Sequence, residues 1–107
     1  MNAEQLEQHR LRQRLETLVN TRSSRTSQVA RLRDDRAALV DIQDRLTTIQ
    51  IPVISSEPLC SQLIDLSDRW VRDVQARIDV IDRNIDATTA TVGIDDPEIA
   101  DLQEVLR

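Results

Sequence analysis

Few side chains in this sequence are of the types that do covalent or acid–base chemistry. His9 is its one histidine. Its neighbours Glu7 and Arg10 form no ligand set, and the Glu-x-x-His pairs of a helical di-metal site are missing. It reads as an exposed residue near a helix start. Cys60 is the one cysteine. No histidine adjoins it in sequence to act as base, so it is expected as a small packed side chain on a helix seam; its place near a helix N-terminus is the one hint of reactivity. Carboxylates come in groups: Asp34-Asp35, Asp41/Asp44, Asp65/Asp68, Asp79/Asp82/Asp86 and Asp95-Asp96. Such groups can bind metal or carry protons. Here they fall at helical spacing with arginines between them and without a calcium-loop pattern, which predicts a solvated, salt-bridged face. There is no Gly-rich phosphate loop and no Ser–His–Asp arrangement. The residues point away from an enzyme, with no catalytic, metal or cofactor residues to assign.

The bulk composition supports this. Of 107 residues 39% are apolar, yet Trp70 is the lone aromatic, and one Gly and three Pro supply little turn chemistry. A core of Leu, Ile, Val and Ala suits helix–helix seams better than a sandwich or an enzyme pocket. One cysteine permits no internal disulfide, which points to a reducing compartment. The charged start carries no apolar signal region, and no stretch approaches the roughly 20 apolar residues of a membrane span. A cytoplasmic protein is expected, or a virion-associated one if its origin is viral.

These residues must be positioned by helices. Residues 3–49 contain neither Gly nor Pro, and Leu11, Leu15, Leu18, Val29, Leu32, Leu39 and Leu46 follow alternating spacings of four and three. Arg22, Arg25, Arg36 and Gln43 occupy the remaining seam slots. Residues 20–28 lack any apolar side chain; without Gly or Pro, one continuous helix is expected through them rather than a break. In the segment 50–58, Pro52 ends the first helix and Pro58 is tolerated in the first turn of the next. From about 59 to 92 the pattern is clearest: Ile64, Val71, Ile78, Ile85 and Val92 recur every seven residues, with Cys60, Ser67, Val74, Ile81 and Thr88 as the second row. Leu63, Leu66 and Trp70 add a flanking stripe. Gly93 stands where a left-handed cap is expected, and Asp96-Pro97-Glu98 reads as cap, first helical residue and acid of a last helix at about 97–106.

The expected fold is all-α: one helical domain over 1–107, an antiparallel long-helix hairpin of coiled-coil character with a short C-terminal helix, dimerising into a helical bundle. A turn centred near Ile54 would make facing residue numbers total about 108, placing Arg22 beside Asp86, Arg25 beside Asp82, Leu39 near Trp70 and Leu46 near Leu63. The last helix would meet Leu6, Leu11 and Leu15.

Function follows from surplus apolar surface. Leu63, Ile64, Leu66, Trp70, Val71, Val74, Ile78, Ile81 and Ile85 span more of the helix than one neighbour covers. Ile51, Val53 and Ile54 add three apolar residues in the connection, either as a plug over the bundle end or as a docking tip. The sequence is read as a non-catalytic interaction module, adaptor, scaffold or assembly subunit whose partner is a second copy or another helical protein. One alternative is a small phage or bacterial inhibitor acting through its acidic C-terminal part on a basic target surface. A second is a nucleic-acid-associated factor. Residues 1–36 carry 8 Arg against 5 acids and residues 37–107 carry 6 Arg against 14. Mutual neutralisation within the fold is the expected use of that asymmetry, since a net charge of −5 repels phosphate and no aromatics alternate with the arginines. No membrane partner is expected.

Overall fold

A computed structural model describes residues 2–48 and 57–107. All regular structure among the described residues is α-helical: α1 spans Ala3–Thr47, α2 Glu57–Val92 and α3 Asp96–Val105. None of these helices is long and apolar enough to cross a membrane. The expected tip residues Ile51, Val53 and Ile54 lie outside the described residues, as does the connection they belong to.

α1 opens with a capping box. The Asn2 side chain accepts from the Gln5 amide at 2.8 Å and the Gln5 side chain accepts from the Asn2 amide at 3.2 Å, so two donors at the helix start are satisfied reciprocally. The Asn-x-x-Gln spacing that marks this box stands in the sequence. α1 then runs unbroken through residues 20–28. The hydroxyls of Thr17, Thr21 and Thr26 donate to the carbonyls four residues earlier at 3.0, 2.8 and 3.0 Å. A polar run can thus stay helical by satisfying its hydroxyls along its own backbone.

The chain divides into two compact units, Met1–Arg31 with Asp86–Arg107, and Leu32–Ile85. In the first, Leu18, Ile99 and Leu102 are buried together, with Leu11 and Leu15 packed against them. α3 therefore meets Leu11 and Leu15 as expected. Leu6 is not in this cluster and is exposed, while Leu18 takes the central place. In the second unit Ile78, at 2% exposure, is the most buried residue. Arg36 Nε donates to Asp82 Oδ1 at 2.5 Å and Gln43 Nε2 to Gln75 Oε1 at 2.7 Å. Gln75 in turn donates to Asp79 at 2.9 Å, and Ser67 Oγ reaches the Leu46 carbonyl at 3.5 Å.

These contacts correct the expected register. Arg36 with Asp82 and Gln43 with Gln75 both total 118, not 108. Leu46 meets Ser67 rather than Leu63, and Leu39 shares a groove with Ala76, Val80 and Ile81 rather than lying by Trp70. Arg22 pairs with Asp96 and Arg25 with Asp95, not with Asp86 and Asp82. The expected value assumed equal overhang on both sides of Ile54. Instead α1 ends at Thr47 while α2 begins at Glu57, and Leu46, one residue before the end of α1, meets Ser67, ten residues into α2.

Two turn expectations are also corrected. Gly93 has no positive φ. The chain leaves α2 through Ile94 donating to Thr91 O and Asp96 donating to Gly93 O, at 3.3 and 3.2 Å, so no left-handed residue is needed. A Cβ at Gly93 would lie 3.2 Å from Asp96 Oδ2, which a small shift of that flexible carboxylate relieves. The cap of α3 is Asp95, not Asp96, and it makes no side-chain cap hydrogen bond. Both carboxylates are turned to arginines of α1 instead.

Candidate interaction surface

The two heptad rows of α2 form its shielded side from Ser67 onward. Ile78 is buried, and Ser67, Val71, Val74, Ile81, Ile85, Thr88 and Val92 are half-buried. Ile64 belongs to the same row by spacing, yet it is 48% exposed. Among the described residues the side-chain hydrogen bonds between α1 and α2 involve Ser67, Gln75, Asp82 and Thr91, all beyond Ile64.

The flanking stripe is exposed along its length. Leu59, Leu63, Leu66 and Trp70 follow spacings of four, three and four, so they lie along one face of α2. All four stand in solvent, Trp70 at 47%. The same spacing continues through Asp73 and Arg77 to Val80, which is exposed as well. Val80 and Arg77 line an open groove with Leu39, Ala76 and Ile81. Within this unit the apolar stripe thus runs from Leu59 to Trp70, and after the charged Asp73 and Arg77 the same face reaches the groove at Val80. Of the expected interaction residues, the structure leaves Leu63, Ile64, Leu66 and Trp70 on the surface, and turns Val71, Val74, Ile78, Ile81 and Ile85 wholly or partly inward.

Charge in the other unit is arranged differently. Arg14 forms a forked pair with Glu98, Nε to Oε1 at 3.1 Å and Nη2 to Oε2 at 3.3 Å. Hydrogen bonding to Glu98, reinforced by that carboxylate's charge, raises the Arg14 guanidinium above its ordinary value. Arg22 donates to Asp96 at 2.7 Å. Arg25 Nη1 serves two acceptors, the Thr91 carbonyl at 3.1 Å and Asp95 Oδ2 at 3.2 Å. α2 has no basic residue in its last turn, so Arg25 brings from α1 the cation that the negative end of α2 favours. It also holds the acid at the start of α3. Sequence reasoning assigned Arg25 to a seam slot opposite Asp82 and missed this role, because nothing local marks which helix end an arginine will reach.

The residues singled out for chemistry are scattered. His9 is exposed and Cys60 is half-buried on α2. Among the described residues no three His, Cys, Asp or Glu are grouped to hold a metal ion. What the described surface offers is apolar side chains at helical spacing and guanidinium–carboxylate pairs. A scan of family models, a search of curated proteins and a search of solved structures each return no match for this chain.

Proposed function

We propose that this chain is a non-catalytic helical interaction module, an adaptor, scaffold or assembly subunit, that associates with a second copy through the exposed stripe of α2. The observation that carries this reading is the row Leu59, Leu63, Leu66 and Trp70, apolar at heptad spacing yet left in solvent. Covering one such side chain contributes roughly 1.5–3 kcal/mol, and the chain has no phenylalanine or tyrosine with which to enlarge its own core. In the proposed arrangement α1 and α2 form an antiparallel hairpin, which the contacts Arg36–Asp82, Gln43–Gln75 and Leu46–Ser67 support by running in opposite senses. Two hairpins then make a four-helix bundle with the stripes inside. The protein works in the cytoplasm in this reading, or in a virion if its source is viral.

The nucleic-acid reading draws less support. Arg14, Arg22, Arg25 and Arg36, four of the arginines in the basic segment, are engaged with carboxylates. An inhibitor acting through the acidic C-terminal part competes for the same groups, since Asp95, Asp96 and Glu98 are the acids those arginines hold.

Sedimentation equilibrium tests the proposal. The wild-type chain is expected as a dimer at tens of micromolar. Leu63→Ser with Leu66→Ser is expected to yield a helical monomer, because both side chains are exposed within one chain and their loss leaves its fold intact. A wild-type monomer across that concentration range would remove self-association from the account.

A further inference from the structure

We propose that α3 is an ion-responsive strap: a row of arginines on α1 holds it closed over the apolar stripe Leu11, Leu15 and Leu18, and screening that row by salt releases it. This goes beyond the self-association reading and concerns a different part of the molecule.

The apolar hold on α3 is confined to two residues. Ile99 and Leu102 are its only buried residues, while Val105 and the preceding Ile94 stand well exposed. At 10 residues α3 is too short to remain helical when undocked. Undocking and unfolding are therefore one event, and closure must come from contacts with α1. Three of those contacts are ionic. Arg14, Arg22 and Arg25 lie along α1, and each meets a carboxylate at or just before the first turn of α3: Glu98, Asp96 and Asp95. Two of the three pairs are about half exposed, and the third, Arg25–Asp95, is near a quarter to a third. Exposed pairs are open to screening, whose range shrinks from about 10 Å at 0.1 M salt to about 3 Å at 1 M. Apolar contacts respond the other way or not at all, since salts do not weaken burial by screening. The sign of the salt effect on α3 thus reports which contact holds it. On release, the stripe Leu11, Leu15 and Leu18 loses Ile99 and Leu102, the two buried residues packed on it.

Amide hydrogen exchange on the full chain reads this directly. Between about 50 mM and about 1 M sodium chloride, the amides of α3 are expected to exchange about ten-fold faster or more, while those of residues 71–85 change less than about two-fold. In Arg22→Glu with Arg25→Glu, α3 is expected to exchange at low salt at least as fast as the wild type does at high salt. Wild-type α3 exchange that is unchanged or slowed by salt overturns the proposal. So does a charge-reversed variant whose α3 stays protected. If that variant loses protection throughout, the wild-type salt series decides alone, because it needs no mutation. The readout lies within one chain and holds whether or not the chain dimerises.

Discussion

Arg25 shows how much one side chain decides in a protein with so few buried residues. Its guanidinium joins the end of α2, through the Thr91 carbonyl, to the start of α3, through Asp95. Both partners are partly shielded from water, where hydrogen bonds to charged groups contribute more than at the surface. Arg25→Gln is expected to destabilise the chain by about 1–2 kcal/mol in urea unfolding followed by circular dichroism. Arg45, paired with Asp41 across one turn of α1 but mostly exposed, serves as the comparison: Arg45→Gln is expected to change stability by less than about 0.5 kcal/mol. Equal effects from the two would mean that Arg25 is no more than a surface cation. Neither number can be guessed from the residue type, since both are arginines at exposed-looking positions in the same helix. Their difference lies wholly in what the folded chain brings near them.

At the scale of the element, α1 is a helix whose middle has little to hold it except its own backbone. The run from Asn20 to Gln28 has no apolar side chain, yet the helix passes through without a break. Ser23 and Ser24 are exposed there, and serine is a weaker helix former than alanine because its hydroxyl competes for backbone groups. Replacing both by Ala is expected to raise stability by about 0.5–1 kcal/mol in total. A loss of stability on that change would mean that the run is not helical in solution. The helical nature of this run was legible in the absence of Gly and Pro, and the capping box at Asn2 and Gln5 was equally available. Less legible was the entry to α3. Asp95 and Asp96 are adjacent and chemically alike, so local preference alone does not choose the cap, and in the fold both carboxylates pair with arginines of α1.

For the whole molecule, the telling residue is Trp70, because it is the sole aromatic and lies on the exposed stripe. Its fluorescence therefore reports on that stripe with no competing signal. In dilute solution its emission is expected to be that of a solvated indole, readily quenched by iodide. As the chain is concentrated through the micromolar range, self-association over the stripe is expected to shift the emission to the blue and to protect it from quenching. Emission that stays red and quenchable at concentrations where the chain is dimeric would place the dimer contact elsewhere.

What the amino-acid order determined by itself is the helical class and which side of each helix is shielded. Leu11, Leu15, Leu18, Val29 and Leu32 on α1, and Val71, Val74, Ile78, Ile81 and Ile85 on α2, are the less exposed positions, as their spacing implies. That information is local: a helix turns a fixed amount per residue, so spacing alone maps a side chain to a face. Register is not local. A seam built on alternating fours and threes repeats every seven residues, and a slip of ten, such as the displacement from 108 to 118, still carries one of its two rows onto the other. The seam pattern reads almost alike before and after the slip, so it cannot choose between them. Only the tertiary structure chooses, through contacts that differ between registers: Arg36 with Asp82, Gln43 with Gln75, and the end of α1 beside Ser67. Ile64 is exposed while Ile78 is buried, although the two hold equivalent places in the heptad. Equivalent spacing makes them alike in sequence, because heptad position fixes only a face of the helix, and tertiary surroundings make them different in the fold.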